Sequence, residues 1–290
     1  MAGGNGKGNQ LNQLHFPFSI AIDDDNQSLY IADYENHRIV RWKSGASEGQ
    51  IIAGGNGRGN QLNQLDHPTD VVLDRYGKNL IICDQDNRRI VQWSYENPTI
   101  GQTILSDIDC RRLSMDDQGF LYVSDRRKHE IRRWKLGDRT SVLVAGGNGK
   151  GDDFNQLYEP SFIFVDRNHS VYVSDYQNHR IMKWMKNADE GILVTDHRQK
   201  RKNDLSTLLH PQGVIADHLG NIYVADGDNH RVIRWLEDTR EGSVVVGGQE
   251  KGEHADQLSN PRGLAFDRQG NLYVVDCENH RIQKFDLEQH

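Results

Sequence analysis

Short apolar segments separated by turn residues run through the whole chain. In one representative stretch, residues 213–216, 222–225 and 243–246 are apolar runs, and residues 230–235 mix apolar and charged positions. Gly220 and Asn221 supply the turn chemistry between two of these segments. Runs of this length predict strands, and no stretch of the chain keeps the apolar period of a long helix. Four strands joined by tight turns predict one antiparallel sheet.

A short phrase recurs six times and divides the chain into units of similar length. It begins with an aspartate at Asp33, Asp84, Asp125, Asp175, Asp226 and Asp276. Repeats of roughly 40–50 residues are typical of solenoids, propellers and arrays. The first two strands of each unit are nearly continuous apolar runs, as in residues 71–73 and 264–266, which indicates burial on both sheet faces. Because each sheet then needs a neighbour on both sides, the sequence predicts a closed ring.

The phrase resembles the NHL repeat, through pairs of asparagine and histidine. These pairs are Asn36-His37, Asn178-His179, Asn229-His230 and Asn279-His280. An opening proline and a closing aromatic also recur, at Pro17, Pro68, Pro160, Pro211 and Pro261, and at Trp42, Trp93, Trp134, Trp184, Trp235 and Phe285. The third unit has Cys110 in place of the proline. The resemblance covers essentially the whole chain and implies a six-bladed β-propeller, more often a binding platform than a catalyst.

The two ends of the chain complement each other. The last unit stops after its third strand at Phe285, and residues 1–4 match residues 52–55, where a fourth strand ends. We therefore predict an all-β fold in one domain, residues 1–290, with six four-stranded antiparallel blades. The N-terminal strand is expected to complete the last blade.

Composition excludes several classes of function. The formal net charge of −7 gives no general attraction to nucleic acid or anionic membranes. No apolar run is long enough to span a bilayer, so we expect no membrane insertion. No secretory leader is visible, which slightly favours the cytoplasm and leaves the compartment unknown. We expect a monomer. The three cysteines, Cys83, Cys110 and Cys277, are sparse and odd in number. We expect them to be buried free thiols and not a disulfide framework.

Glycine-rich segments resemble phosphate loops only superficially. Residues 54–65 recur in similar form from Gly3 and Gly146, and more loosely from Gly247. A phosphate loop requires a following helix whose N-terminus faces the anion. Here a strand follows, so we predict connections between blades that use the positive φ of glycine and bury a leucine.

Metal-dependent catalysis finds little support in the pattern. The repeated histidines belong to separate blades and cannot converge on one ion, so each is expected to make a local hydrogen bond. The arginine that follows, such as Arg38, is expected to pair with a carboxylate such as Asp23.

Two rings of positions follow the opening prolines. Related peptide-amidating lyases hold zinc on histidines in the first ring, which here reads Phe18, Thr69, Arg111, Ser161, Gln212 and Arg262. The second ring reads Ser19, Asp70, Arg112, Phe162, Gly213 and Gly263, and Asp70 alone is too little for calcium. We predict no metal, no cofactor and no enzymatic activity.

The third unit departs from its siblings by its positive charge. The predicted binding residues are Arg111, Arg112, Arg126, Arg127, Lys128, Arg262, Tyr34, Tyr176 and Asp70, at one mouth of the channel. Arginine and tyrosine are typical interface anchors, so we predict a protein or peptide ligand with acidic groups.

Other interpretations of these residues stay open. Single-stranded RNA on the same face is one alternative, through phosphate contacts and stacking. A hydrolase or lyase with an unrecognised site is another. The cations could also simply pair with Asp107, Asp109 and Glu130. A second basic run, residues 197–202, is predicted to be a solvated loop.

Overall fold

The computed structural model describes residues 2–95, 99–195, 207–236, 242–248 and 250–287. After β1 (Ala2–Gly3), blade one contains β2 (Pro17–Asp23), β3 (Ser28–Asp33), β4 (Arg38–Lys43) and β5 (Gln50–Gly54). Blade two contains β6 (Pro68–Leu73), β7 (Asn79–Asp84), β8 (Arg89–Ser94) and β9 (Gly101–Ser106). Blade three contains β10 (Cys110–Met115), β11 (Phe120–Asp125), β12 (Glu130–Lys135) and β13 (Ser141–Gly146).

The remaining strands follow the same plan. Blade four contains β14 (Pro160–Val165), β15 (Val171–Asp175), β16 (Arg180–Trp184) and β17 (Ile192–Leu193). Blade five contains β18 (Pro211–Ala216), β19 (Ile222–Asp226), β20 (Arg231–Trp235) and β21 (Gly242–Gly247), and blade six contains β22 (Pro261–Phe266), β23 (Leu272–Asp276) and β24 (Arg281–Phe285). Short 3₁₀ turns span Tyr34–Asn36, Tyr176–Asn178, Gly227–Asn229 and Cys277–Asn279. None of the helices in the described ranges could cross a membrane.

Each blade is a four-stranded sheet with its strands in chain order, and β1 completes the sixth. In that blade Ala2 pairs with Ile282 and Gly3 with Arg281, antiparallel. The predictions of an all-β six-bladed propeller and of closure by the N-terminal strand are therefore confirmed.

The chain forms two compact units, one of Met1–Leu113 with Arg262–His290 and one of Ser114–Pro261. In the first unit Leu65, Ile82 and Trp93 belong to one buried core cluster. In the second, Leu157 and Trp184 have the corresponding places. Each fully buried apolar side chain of this size contributes about 1.5–3 kcal/mol to folding, so the closing tryptophans and the leucines of the connections are major anchors.

The glycine-rich segments act as connections between blades, as predicted. Their leucines, Leu14, Leu65, Leu157 and Leu258, are fully buried. Gly54 has a φ of 68°, and a Cβ there would collide with the backbone oxygen of His37. Only glycine allows this backbone to adopt the turn and approach its neighbour so closely.

An aspartate and an arginine in most blades clamp the connection that enters the blade. Asp33 Oδ2 accepts from Arg38 Nε at 2.7 Å, and Asp33 Oδ1 accepts from the backbone N–H of His15 at 2.7 Å. The guanidinium of Arg38 also donates to backbone carbonyls of residues 9, 10 and 13. The same pair recurs as Asp84–Arg89, Asp175–Arg180, Asp226–Arg231 and Asp276–Arg281. Asp23 was the wrong partner, because Arg38 lies directly opposite Asp33 in the sheet.

In five of the six blades, the repeated histidine ties its blade to the next one. His37 Nδ1 accepts from the backbone N–H of His67 at 3.1 Å, thirty residues further along. Equivalent bonds join Glu159 to His129, His210 to His179, Asn260 to His230 and Phe16 to His280. The expected hydrogen bond is present, but its partner belongs to the next blade and is not the nearby aspartate.

A disulfide joins Cys83 to Cys110, with the Cα atoms 5.8 Å apart. The expectation of three free thiols is therefore wrong for these two residues. An odd count does not exclude one bridge when the fold brings β7 beside β10. Cys277 is free and buried, as predicted.

Candidate functional site

Three arginines of the first unit lie around the aromatic ring of Phe18. The guanidinium carbons of Arg262, Arg111 and Arg112 lie 4.0, 4.5 and 5.1 Å from the centroid of the Phe18 ring. Tyr34 stacks on the same ring at 4.9 Å and 28°. We call these five residues the Phe18 cluster. The register of β2 on β3 shifts at Phe18, and a bulge of this kind re-aims a side chain out of the regular alternation.

Arg112 is an interior residue of this cluster. It is 1% exposed, and its guanidinium donates to the backbone carbonyls of Thr69 and Phe18. Its Nη1 lies 3.6 Å from the carboxylate of Asp70, which also accepts from the backbone N–H of Leu113 at 2.7 Å. Burial lowers the pKa of Arg112 and raises the pKa of Asp70, since each charge is removed from water. Arg112 and Asp70 thus connect the first strands of blades one, two and three, and they support the more exposed arginines of the cluster.

Arg111 and Arg262 are only half-buried and carry the accessible charge. Arg111 Nη1 donates to Gln85 Oε1 at 2.9 Å. In the part of the chain that the structure describes, Arg262 Nε and Nη1 are shielded from solvent and have no hydrogen-bond acceptor. Both arginines lower the pKa of Arg112, after the larger effect of its burial. The cluster therefore has a local excess of positive charge, which a bound anion would offset.

Tyr34 already has two rings packed against it. Besides Phe18, the His67 ring lies 4.5 Å away at 31°. Burial raises the pKa of its hydroxyl. Tyr34 was predicted from its position in the loop after β3, and the structure does bring it to the arginines. Its packing leaves little of the ring for stacking on a ligand.

The other predicted cations lie in the second unit and have acidic neighbours. Arg126 Nη2 lies 2.7 Å from Glu159 Oε2, and Lys128 Nζ lies 3.9 Å from Asp125. Burial alone would raise the pKa of Glu159, but the hydrogen bond and charge of Arg126 outweigh it and lower that pKa. Arg127 is exposed.

Two further details concern the second unit. Tyr176 stacks on His210 at 4.6 Å and 25°. Glu130, expected to neutralise the cations of the loop, instead pairs with Arg132 at 2.8 Å. The basic run 197–202 falls outside the described residues.

Cys277 lies beside Arg262 but is poorly suited to catalysis. Burial raises the pKa of its thiol to about 11, against an opposing effect of Arg262. The side chain is 1% exposed and stays protonated at neutral pH. Since the thiolate is the reactive form, Cys277 offers no nucleophile there.

Phe18 is the central residue that the sequence interpretation missed. From the sequence, Phe18 was considered only as one of the six positions after the opening prolines, none of which is a zinc-binding histidine. The available signal was an aromatic residue among ring positions that include Arg111, Arg112 and Arg262, since arginine favours aromatic faces.

A cavity of about 370 Å³ lies at the opposite ends of the blade-one strands. Asp23, Trp42 and Asp267 are among its lining residues. Its carboxylates are already bound, Asp23 by Asn26 and Asp267 by Asn271. It therefore offers a ligand fewer unused polar groups than the Phe18 cluster does.

Comparison with known families agrees with this architecture. Residues 14–42, 208–235 and 258–285 match the NHL repeat, and they cover blades one, five and six. The chain is a six-bladed propeller with NHL-repeat matches in three of its blades. No curated protein is significantly similar to this propeller in sequence.

Solved structures share the fold at low identity. An auxiliary nutrient binding protein from Bacteroides thetaiotaomicron is 13% identical, with a TM-score of 0.73 over 96% of this chain and 70% of that one. A gluconolactonase from Xanthomonas campestris is 13% identical, with a TM-score of 0.65 over 91% and 84%. The nidogen/laminin complex contains a chain that is 18% identical, with a TM-score of 0.61 over 78% of both chains. These likenesses show the propeller fold alone and leave the ligand open.

Proposed function

We propose that this protein is a non-catalytic binding platform that holds an acidic segment of a protein or peptide at the Phe18 cluster. Arg111 and Arg262 contact the carboxylate, and the Phe18 ring holds both guanidiniums in place. The supporting observation is the convergence of two half-buried arginines, Arg111 and Arg262, on the Phe18 ring. Charge-assisted hydrogen bonds from arginine to a carboxylate are among the strongest that a protein surface can offer.

The chemistry of the cluster favours binding over catalysis. Its described residues supply cations and aromatic faces, and the adjacent thiol of Cys277 is kept protonated by burial. A general base, a nucleophile and a stabilised leaving group would have to lie within hydrogen-bond reach of one another. The structural neighbours include a nutrient-binding protein and an enzyme, so the shared fold supports either class and the site must decide.

RNA binding is the less favoured alternative. Base stacking requires an accessible aromatic face, and Tyr34 is half-buried against Phe18 and His67. The net charge of −7 also opposes a polyanion over the rest of the surface. RNA binding is therefore left as an outcome of the experiment.

The test uses fluorescence anisotropy with labelled hexaglutamate, hexaglutamine and oligouridine. Arg111→Glu is expected to weaken hexaglutamate binding about tenfold or more, because it replaces an attractive charge with a repulsive one. Arg139→Glu is the matched control, since it makes the same charge change at an exposed position on the β12–β13 loop. Arg126→Glu measures whether the second-unit cations contribute.

Three results would overturn the proposal. If hexaglutamate binds no better than hexaglutamine, the site does not recognise acidic side chains. Equal effects of Arg111→Glu and Arg139→Glu would show that binding depends only on the overall charge of the protein. Tighter, steeply salt-dependent binding of oligouridine would favour RNA. Melting curves of the variants separate a loss of binding from a loss of folding.

A further inference from the structure

Three potential metal ligands meet where blade one joins blade two. His37 ends the first 3₁₀ turn, and Asp66 and His67 immediately precede Pro68. His67 Nδ1 lies 3.1 Å from Asp66 Oδ1, and His37 Nδ1 lies 3.6 Å from the same oxygen. One ligand atom from each of the three residues lies within 4.8 Å of the others. Ligands at 2.0–2.1 Å around a tetrahedral zinc ion are about 3.3 Å apart, so the spacing is close to that of a metal site.

The carboxylate of Asp66 has an unusual local environment. Asp66 is 9% exposed, and within the described residues its Oδ1 is buried without a hydrogen-bond donor. Arg58 Nε lies 3.0 Å from both oxygens but donates to Oδ2. A buried carboxylate oxygen without a donor is costly, and a cation placed against it removes that cost. The Arg58 side chain is 61% exposed, so it can move aside with little loss.

Two more carboxylates surround the histidines. Asp86 Oδ2 forms a hydrogen bond of 2.7 Å with His67 Nδ1, which metal binding at Nδ1 would replace. Asp86 would then lie close enough to become a fourth ligand with a small adjustment. Glu35 Oε2 lies 3.9 Å from His67 Nε2, on the other side of the same ring. A carboxylate at the second nitrogen of a metal-bound histidine is a common support for such sites.

We propose that His37, Asp66 and His67 bind one divalent transition-metal ion, for which Zn²⁺ is the best fit. Two imidazoles and one or two carboxylates match the ligand preferences and the coordination number of zinc. The ion displaces Arg58. It also takes the place of the hydrogen bond that His37 Nδ1 accepts from the backbone N–H of His67. It thereby joins the two blades through coordination bonds. The site adjoins the Phe18 cluster, because the His67 ring packs on Tyr34, but it uses none of the cluster's arginines and does not depend on the proposed anion binding. Reasoning on the repeated histidines alone did not find it, because only one of its ligands belongs to the repeat.

The second unit contains a natural control for this site. Around His210, Tyr176 stacks at 4.6 Å, the His179 ring lies at 4.5 Å and Asp228 Oδ2 lies 2.6 Å from Nδ1. The aromatic and carboxylate arrangement of His67 is thus repeated. Leu209 stands where the first unit has Asp66. The copy therefore has the two histidines but lacks the central carboxylate.

Calorimetry with Zn²⁺ on tag-free protein treated with a chelator tests the proposal, with Co²⁺ absorption as a probe of tetrahedral geometry. One equivalent is expected to bind wild-type protein. Asp66→Asn, which keeps the volume but removes the charge, is expected to weaken binding at least tenfold. Leu209→Asp, at a position that is 39% exposed, should create a second site and raise the stoichiometry to two.

Absence of zinc binding to the wild type, or full binding by Asp66→Asn, would overturn the proposal. Should Asp66→Asn fail to fold, Leu209→Asp decides the question, because it adds a ligand and removes none. A stoichiometry that stays at one in that variant would show that the carboxylate does not complete the set.

Discussion

Two neighbouring junctions in the first unit are built by different means. Where blade one meets blade two, His37 accepts the backbone N–H of His67, and a glycine-rich connection buries Leu65. Where blade two meets blade three, Arg88 replaces the histidine and Cys110 replaces the opening proline. A disulfide from Cys83 and a buried Arg112–Asp70 pair hold the second junction instead.

The difference separates structural compensation from candidate function. The repeat distance falls to 41 residues at blade three, so this junction lacks the long connection and its buried leucine. Arg112 and Cys110 restore contacts that the regular junction obtains from the repeat. Arg111 instead lies half-buried on the Phe18 ring and donates to Gln85, so it belongs to the candidate site. A residue that departs from the repeat therefore indicates function only when the departure is not needed to stabilise the fold.

Removal of the buried guanidinium should have the largest effect on the irregular junction. Arg112→Leu leaves Asp70 buried without its cation, which typically costs about 3–5 kcal/mol. Urea unfolding should show this loss, while Arg111→Leu should cost less than about 1 kcal/mol. If the two variants are equally stable, Arg112 is not the anchor of the junction.

Loss of the disulfide should have the next largest effect. Cys83 and Cys110 are 27 residues apart, and closing a loop of this length is expected to contribute about 2–4 kcal/mol. The double variant Cys83→Ala and Cys110→Ala should unfold at lower urea than wild type. Reductant should weaken the wild type and leave the double variant unchanged. Cys277→Ala controls for the loss of a buried thiol, and intact-mass measurement of the alkylated protein counts the free thiols directly.

Much of the fold could be predicted because the information is local and repeated. The apolar runs, the turn residues around Gly220 and the matching chain ends define strands, blades and closure without long-range knowledge. The disulfide, the target of His37 and the role of Arg112 could not be predicted in this way. Each depends on which residues of the next blade come opposite, across some thirty residues of chain.

The candidate site was predicted in part for the same reason. Arg111, Arg262 and Tyr34 were recognised from their positions in the repeat, and the structure brings them to one ring. That Phe18 is this ring, and that Asp66 lies between two histidines, follows from packing between blades. Neither fact changes the pattern of a single repeat.

The smallest expected effect is a pH dependence of stability at a regular junction, because the histidine that joins the two blades must be neutral to accept its hydrogen bond. His280 Nδ1 accepts from the backbone N–H of Phe16 at 3.2 Å. Burial lowers the pKa of His280 from 6.5, with further lowering by His15 and Lys7 and opposition from Glu278 and Asp276. The unfolded chain therefore takes up the proton first as the pH falls. This contribution to stability is complete above about pH 6.5 and is lost as the pH falls below that value.

His280→Asn should reduce this loss. The asparagine Oδ1 can accept the same hydrogen bond, and asparagine tolerates the φ of 54° at this position. Stability near pH 7.5 should stay within about 1 kcal/mol of wild type, while the decrease between about pH 7.5 and 5 becomes smaller. Urea unfolding at both pH values measures the change, and His218→Asn, in an exposed turn, is the control. An unchanged pH dependence in His280→Asn would show that the tie between blades does not respond to protonation.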